Sequence, residues 1–180
     1  MASTELSLLD DVLPHYDVCA AYSIQVQASP DQIFQVLQEG IPSGTLTRIL
    51  LSLRSLPRVL RGKDWNEVED AFYKLKQLEN KELVIGIIGQ FWKPVAETVS
   101  IHSLEEFLDF HGDGYCKAAL NLRIVPKSPK ECLLITETRV LGYGEAKSHF
   151  RKYWRLVGPF SGIIRREILR KIKLRAEKKG

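Results

Sequence analysis

Long apolar runs are missing from this 180-residue sequence. No stretch approaches the roughly 18 residues that a membrane-spanning helix needs, so an integral membrane protein is not expected. The opening MASTELSLLDDVLPHYD lacks a basic n-region and carries Glu5, Asp10 and Asp11 around its few leucines, which is wrong for a secretory signal and makes the cytoplasm the expected compartment. Cysteine is scarce. Cys19, Cys116 and Cys132 are odd in number, widely spaced and each set in strand-like sequence, so buried reduced thiols are expected and not disulfides. Without a CxxC pair, and without HExxH among His15, His102, His111 and His149, no metal is expected. No GxSxG occurs, and Phe160-Ser161-Gly162 falls inside a helical pattern, where a small residue suits close helix-sheet packing better than nucleophilic catalysis. No GKS or GKT follows Gly86 and Gly89, and Gly142-Tyr143-Gly144 is followed by Lys147 where a dinucleotide fold needs its third glycine. No cofactor is expected.

What is present is ordinary for a globular chain: 44% hydrophobic and 27% charged residues, and no linker-like stretch. One domain over 1–180, with its core over about 17–176, is the expectation. The charge is uneven. Residues 145–180 hold 12 Lys and Arg against 3 Glu, a local +9 inside a total of +4, so the remainder carries −5. Such a split fits either an anionic partner or the solvated face of one long helix. In the absence of an RNP1-like motif, a helix-turn-helix or a zinc module, nucleic acid is not expected as the partner.

That helix is the most legible element. From Glu145 to Lys178 a period of 3.6 places Ala146, Phe150, Tyr153, Trp154, Val157, Ser161, Ile164, Ile168 and Ile172 on one stripe, with Arg151, Arg155, Arg166, Arg170 and Lys173 roughly opposite. Gly158-Pro159 predicts a kink and not a break. Ahead of it, Asp17 to Ala28 alternates as a half-buried strand, and Ser29-Pro30-Asp31-Gln32 opens a short helix with a capping box. A second short helix is expected from Thr45 to Leu53, while Ser55 to Glu69 reads as either helix or flap. Period two then returns in Phe72 to Leu78 and Glu82 to Trp92, turning at Glu79-Asn80-Lys81, with Gly86 and Gly89 allowing a bend or a close backbone approach. Ser103 caps a short helix through Phe110, and Tyr115 to Val125 and Cys132 to Tyr143 form a hairpin across 126–130. The order predicts an α+β domain with an antiparallel sheet.

At Thr136-Glu137-Thr138-Arg139-Val140 and the run from Tyr153 to Arg165, YWRLVGPFSGIIR, the chain resembles the START/Bet v 1-like helix-grip (SRPBCC) superfamily, and more narrowly its uncharacterised bacterial members. The strand running into Ser29 to Phe34, and Gly89 to Pro94, carry the same resemblance. It implies a curved antiparallel sheet wrapped around a long C-terminal helix, with two short helices after the first strand. It also implies a hydrophobic or amphipathic small-molecule ligand, such as a lipid, quinone or polyketide, in a cavity between sheet and helix.

Two sets of residues are candidates for that cavity. Tyr22, Phe72, Phe91 and Trp92 from the strands, Tyr115, and Phe150, Tyr153, Trp154 and Val157 from the helix would line it, although the same residues also suit a plain core. On the last hairpin, if Ala118, Leu120, Leu122 and Ile124 share a face with Leu134, Thr136, Thr138 and Val140, then Lys117, Asn121, Glu137 and Arg139 share the other. A solvated charged face is the plain reading. In a polyketide cyclase or aromatase type of enzyme that face would line the cavity, with Glu137, Arg139 or Tyr115 as acid-base groups. The readings are thus non-enzymatic binding, a cyclase-like enzyme, or an anionic surface docked on the basic helix face.

Overall fold

The structure, a computed structural model, describes residues 7–40, 72–93 and 97–179, the side chains of 159–161 and 164 excepted. The elements run α1 (Leu8–Val12), β1 (Val18–Val26), α2 (Pro30–Gln38), β2 (Tyr73–Leu78), β3 (Glu82–Gly89), β4 (Thr98–Val99), α3 (Leu104–Asp109), β5 (Cys116–Ser128), β6 (Glu131–Gly142) and α4 (Ala146–Glu177). The strands form a curved antiparallel sheet in the order β1-β6-β5-β3-β2, with β4 also paired to β3. The second expected helix, Thr45 to Leu53, and the segment Ser55 to Glu69 lie outside the described residues.

Local signals explain most boundaries. The Ser29 hydroxyl accepts from the Gln32 amide while the Gln32 side chain accepts from the Ser29 amide, so the capping box starts α2 where the sequence places it. Asn80, at φ 56°, turns the β2-β3 hairpin. At Gly86 an added Cβ would stand 2.3 Å from Leu75 Cδ1 and 2.9 Å from Phe107, so this glycine serves a close approach. Helix α4 continues through Gly158-Pro159 without a break. Its last turns cover the free edge of β1: Lys173 donates to the Gln25 carbonyl at 2.8 Å and Glu177 accepts from the Gln27 amide at 2.8 Å.

The β5-β6 register pairs Ala118 with Val140, Leu120 with Thr138, Leu122 with Thr136 and Ile124 with Leu134. This is the pairing under which the hairpin's apolar and charged residues part to opposite faces. The concave face meets α4. Val26, Leu122, Ile124, Leu134, Ile168, Leu169 and Ile172 close with α2 into one buried cluster, and Cys116, Val140, Ala146 and Phe150 into another. Burying each Val, Leu, Ile or Phe among them contributes about 1.5–3 kcal/mol.

The middle of the convex face is covered as well. Leu9 and Val12 from α1 and Leu13 just after it, with Phe107 from α3, pack over Leu75, Val84, Ile88 and Ala119. Thus the packing includes a helix N-terminal to residue 17, begun by Ser7 and Asp10 in a second capping box that the sequence reading passed over.

Two further expectations are corrected. The last hairpin turns at Pro129-Lys130, because the ladder continues through Pro126 opposite Cys132 to Ser128 opposite Glu131, with an irregularity that accommodates the proline. Cys116 and Cys132 are buried, but Cys19 is exposed, since α1 and α3 cover the middle of the convex face and leave β1 bare.

Candidate functional site

The concave face is unevenly filled. Between its two buried clusters lie Tyr22 and Ile24 on β1, Ile85 on β3, Ala118 and Leu120 on β5 and Thr138 on β6, all only half-buried although they face inward. Helix α4 lies chiefly along β1 and β6 and touches β5 much less. The result is apolar surface inside the grip that the described helices do not close over.

Arg165 stands at this surface from the helix side. Only 3% of it is exposed; its Nε donates to Thr138 Oγ1 at 3.1 Å, and its guanidinium lies 5.5 Å from the Trp154 ring and 6.0 Å from that of Tyr22. Burial lowers its pKa to about 10, still far enough above neutrality to keep the charge. A desolvated guanidinium is costly to bury and strong in what it binds, since its fork of donors fits carboxylates and other planar anions. Arg166, one residue on, lies exposed but still 5.3 Å from the Tyr22 ring.

The candidate lining residues fall into separate places. Phe91, Trp92, Phe150, Tyr153 and Trp154 come together at the N-terminal half of α4: Phe150 meets Phe91 edge-on at 6.3 Å, Tyr153 at 5.9 Å and Trp154 at 5.8 Å, while Trp92 stacks on His149 at 5.9 Å. Val157 is buried on the same helix and Phe72 is half-buried just before β2. Tyr22 adjoins Arg165. Tyr115 is on the convex side, edge-on to Phe110 at 5.8 Å.

Glu137 and Arg139 are also on the convex side, where they tie down α1. Arg139 Nε donates to Glu137 at 2.6 Å, Nη2 to Asp10 at 2.7 Å and Nη1 to the Leu13 carbonyl at 3.1 Å. At the other end of α1, Glu82 accepts from the Ser7 hydroxyl at 2.5 Å, the Leu8 amide at 2.9 Å and Asn121 Nδ2 at 2.6 Å. An acid thus sits at the helix's unpaired amides and a base at its unpaired carbonyls. Lys117 does the same for α3, donating to the carbonyls of Phe107 at 2.9 Å and Leu108 at 2.8 Å, with its pKa lowered by burial. These charges are fastenings of the second layer, with their hydrogen bonds directed at α1, α3 and one another and not at the grip.

Arg165 was missed as a site residue, although its signal was in the sequence. A charged residue four positions after Ser161 and three before Ile168 lies on the inner side of the helix.

No family model and no curated protein matches the chain. Among solved structures, it is similar to a conserved protein from Geobacillus kaustophilus, at 10% identity and a TM-score of 0.50, over 89% of this chain and 96% of that one. The fold is the helix-grip fold. Weaker likenesses, from which nothing about this chain follows, are to the Zhui aromatase/cyclase from Streptomyces sp. R1128 and to a norcoclaurine synthase point mutant from Thalictrum flavum. The first has 9% identity and a TM-score of 0.37 over 90% of this chain and 94% of that one; the second has 16% identity and 0.35 over 91% and 96%. In helix-grip terms, the gripped helix is α4, and the surface from Tyr22 to Leu120 is the wall of the grip.

Proposed function

We propose that this chain is a single cytoplasmic domain that binds a hydrophobic or amphipathic small molecule of the lipid, quinone or polyketide kind, without chemistry of its own. The ligand lies between the sheet and α4, its apolar body on Ile85, Ala118, Leu120 and Ile24 and its polar end toward Arg165 and Thr138. Tyr22, Tyr153 and Trp154 flank it, with Phe91, Trp92, Phe150 and Val157 behind. The observation that carries this reading is the half-exposed apolar strip on an inward-facing sheet surface, beside a charged group taken almost wholly out of water. Neither feature adds to the stability of a plain core. The cyclase-like alternative with Glu137 and Arg139 as its acid-base pair loses support from their place on the convex face.

Native mass spectrometry of protein purified from cells, followed by displacement of a fluorescent fatty acid, tests the proposal. Co-purifying small molecules and saturable displacement at one site are expected. Replacing Leu120 by Trp, which fills the strip, should abolish that displacement while Tm stays within a few degrees. Full affinity in Leu120→Trp would place the ligand elsewhere and overturn the reading.

A further inference from the structure

The outward line of α4 carries three exposed apolar residues in one row. Among the described residues six large hydrophobic side chains are exposed, and Leu156 at 56%, Ile163 at 63% and Leu174 at 50% account for three of them. Scattered singly, such residues need no explanation. These are not scattered: at 100° per residue the three fall within about 20° of one another, opposite the buried line of Ile168, Leu169 and Ile172. Leu156 and Leu174 are 18 positions apart, so the line runs about 27 Å along the helix.

Cations border it. Lys152, Arg155, Arg166 and Arg170 are exposed on one side and Lys171 is half-buried on the other, while the acid within the line, Glu167, is bridged by Lys171 at 3.3 Å. Five of the 12 Lys and Arg of residues 145–180 therefore border this apolar line. Lys173, by contrast, is held at the β1 edge, and Arg151 by Asp17 at 3.1 Å, so neither belongs to this surface.

We propose that the outer face of α4 docks on an anionic lipid bilayer, with Leu156, Ile163 and Leu174 entering the boundary between headgroups and acyl chains and the bordering Lys and Arg among the anionic headgroups. The chemistry favours a bilayer over a nucleic acid. A phosphate backbone would use the cations and leave three aliphatic side chains facing polar groups, whereas a headgroup region takes both. The helix would then have two working sides, a grip inside and a membrane face outside. The membrane face stands whether or not the grip is occupied.

The test is co-sedimentation of the full chain with phosphatidylglycerol vesicles and with phosphatidylcholine vesicles, at low and high salt, beside a duplex DNA titration. Binding to phosphatidylglycerol is expected to exceed that to phosphatidylcholine by at least about tenfold and to weaken with salt. Leu156→Ser with Ile163→Ser should lower vesicle binding by about tenfold per side chain without lowering Tm, because both residues are already in water. Lys152→Glu with Arg170→Glu should remove the preference for phosphatidylglycerol. Undiminished vesicle binding in the serine variant overturns the proposal. So does equal binding to both lipids, or binding to DNA with none to vesicles.

Discussion

A Cβ at Gly162 on α4 would stand 2.5 Å from the phenol oxygen of Tyr22 and 3.0 Å from its Cζ. The ring of Tyr22 thus reaches in from β1 to the helix backbone, and the guanidinium groups of Arg165 and Arg166 border it at 6.0 Å and 5.3 Å. Glycine inside a helix costs about 1 kcal/mol relative to alanine, so Gly162→Ala would stabilise the chain if Tyr22 were elsewhere. Instead the substitution must displace that ring. Urea denaturation should show Gly162→Ala destabilising by about 1 kcal/mol in the native background and stabilising by about 1 kcal/mol in a Tyr22→Ala background, a coupling that only a direct contact produces. Equal effects in the two backgrounds would show that the ring does not occupy this place.

Arg139 is the fastening whose loss should free α1. Its guanidinium is nearly buried and bonds to Asp10, Glu137 and the Leu13 carbonyl, so Arg139→Met leaves two carboxylates and the end of a helix without their donor. Asp10 and Glu137 are partly exposed, which brings the expected loss to about 2 kcal/mol, below that of a fully buried pair. Hydrogen exchange at residues 8–13 should accelerate in step with that loss. Lys76→Ala, which breaks the exposed Lys76–Asp11 pair, should cost under about 0.5 kcal/mol and leave exchange in α1 unchanged.

The contrast between α1 and α2 shows what the sequence carries. Both begin with capping boxes, but Ser29-Pro30-Asp31-Gln32 is followed by Ile33, Phe34, Val36 and Leu37, enough apolar periodicity to announce a helix by itself. Ser7 caps a helix of only five residues, too few to be stable alone. What holds α1 is Glu82, Asn121 and Arg139, each more than seventy positions away. Alternation along β5 and β6 was enough to part Leu120 from Asn121 and Thr138 from Arg139, because period two is a local property. Which face the helix would take, and that the other would be covered as well, depended on long-range contacts. Arg165 was hidden for a related reason: in a helix with 12 Lys and Arg in and around it, one inward-facing arginine shows only on the wheel.

Cys116 should make the chain sensitive to alkali. Burial first, and then the Asp17 carboxylate, push its thiol up from about 9 to about 12. Between those values the folded protein keeps a proton that the unfolded chain has released, so stability falls as pH rises through the window; below about 9 both states are protonated and nothing is lost. Lys117 and Arg165, with pKa values lowered by burial, contribute with the opposite sign, so the informative quantity is the difference between native protein and Cys116→Ala. Between about pH 8 and about pH 11 that difference should move against the native protein by about 2–3 kcal/mol, at roughly 1.4 kcal/mol per pH unit above 9. A difference that stays constant with pH would place the thiol in contact with water.

Arg165 offers the sharpest test of what the grip holds. Its burial carries a desolvation cost that no exposed arginine bears, so Arg165→Met, similar in reach and without the charge, should change Tm by only a few degrees as relief of that cost offsets the lost bond to Thr138. Affinity should respond quite differently. A carboxylate-bearing amphiphile such as a fatty acid would lose a charge-assisted hydrogen bond worth about 1.5–3 kcal/mol, and its Kd should rise about tenfold or more. The matching fatty alcohol, with the same chain and no anion, should bind the variant within about twofold of the native protein. Arg165→Lys should recover only part of the loss, because an ammonium group on a shorter reach cannot offer two parallel donors to a carboxylate. If acid and alcohol lose affinity equally, the arginine shapes the grip and does not read the ligand's polar end.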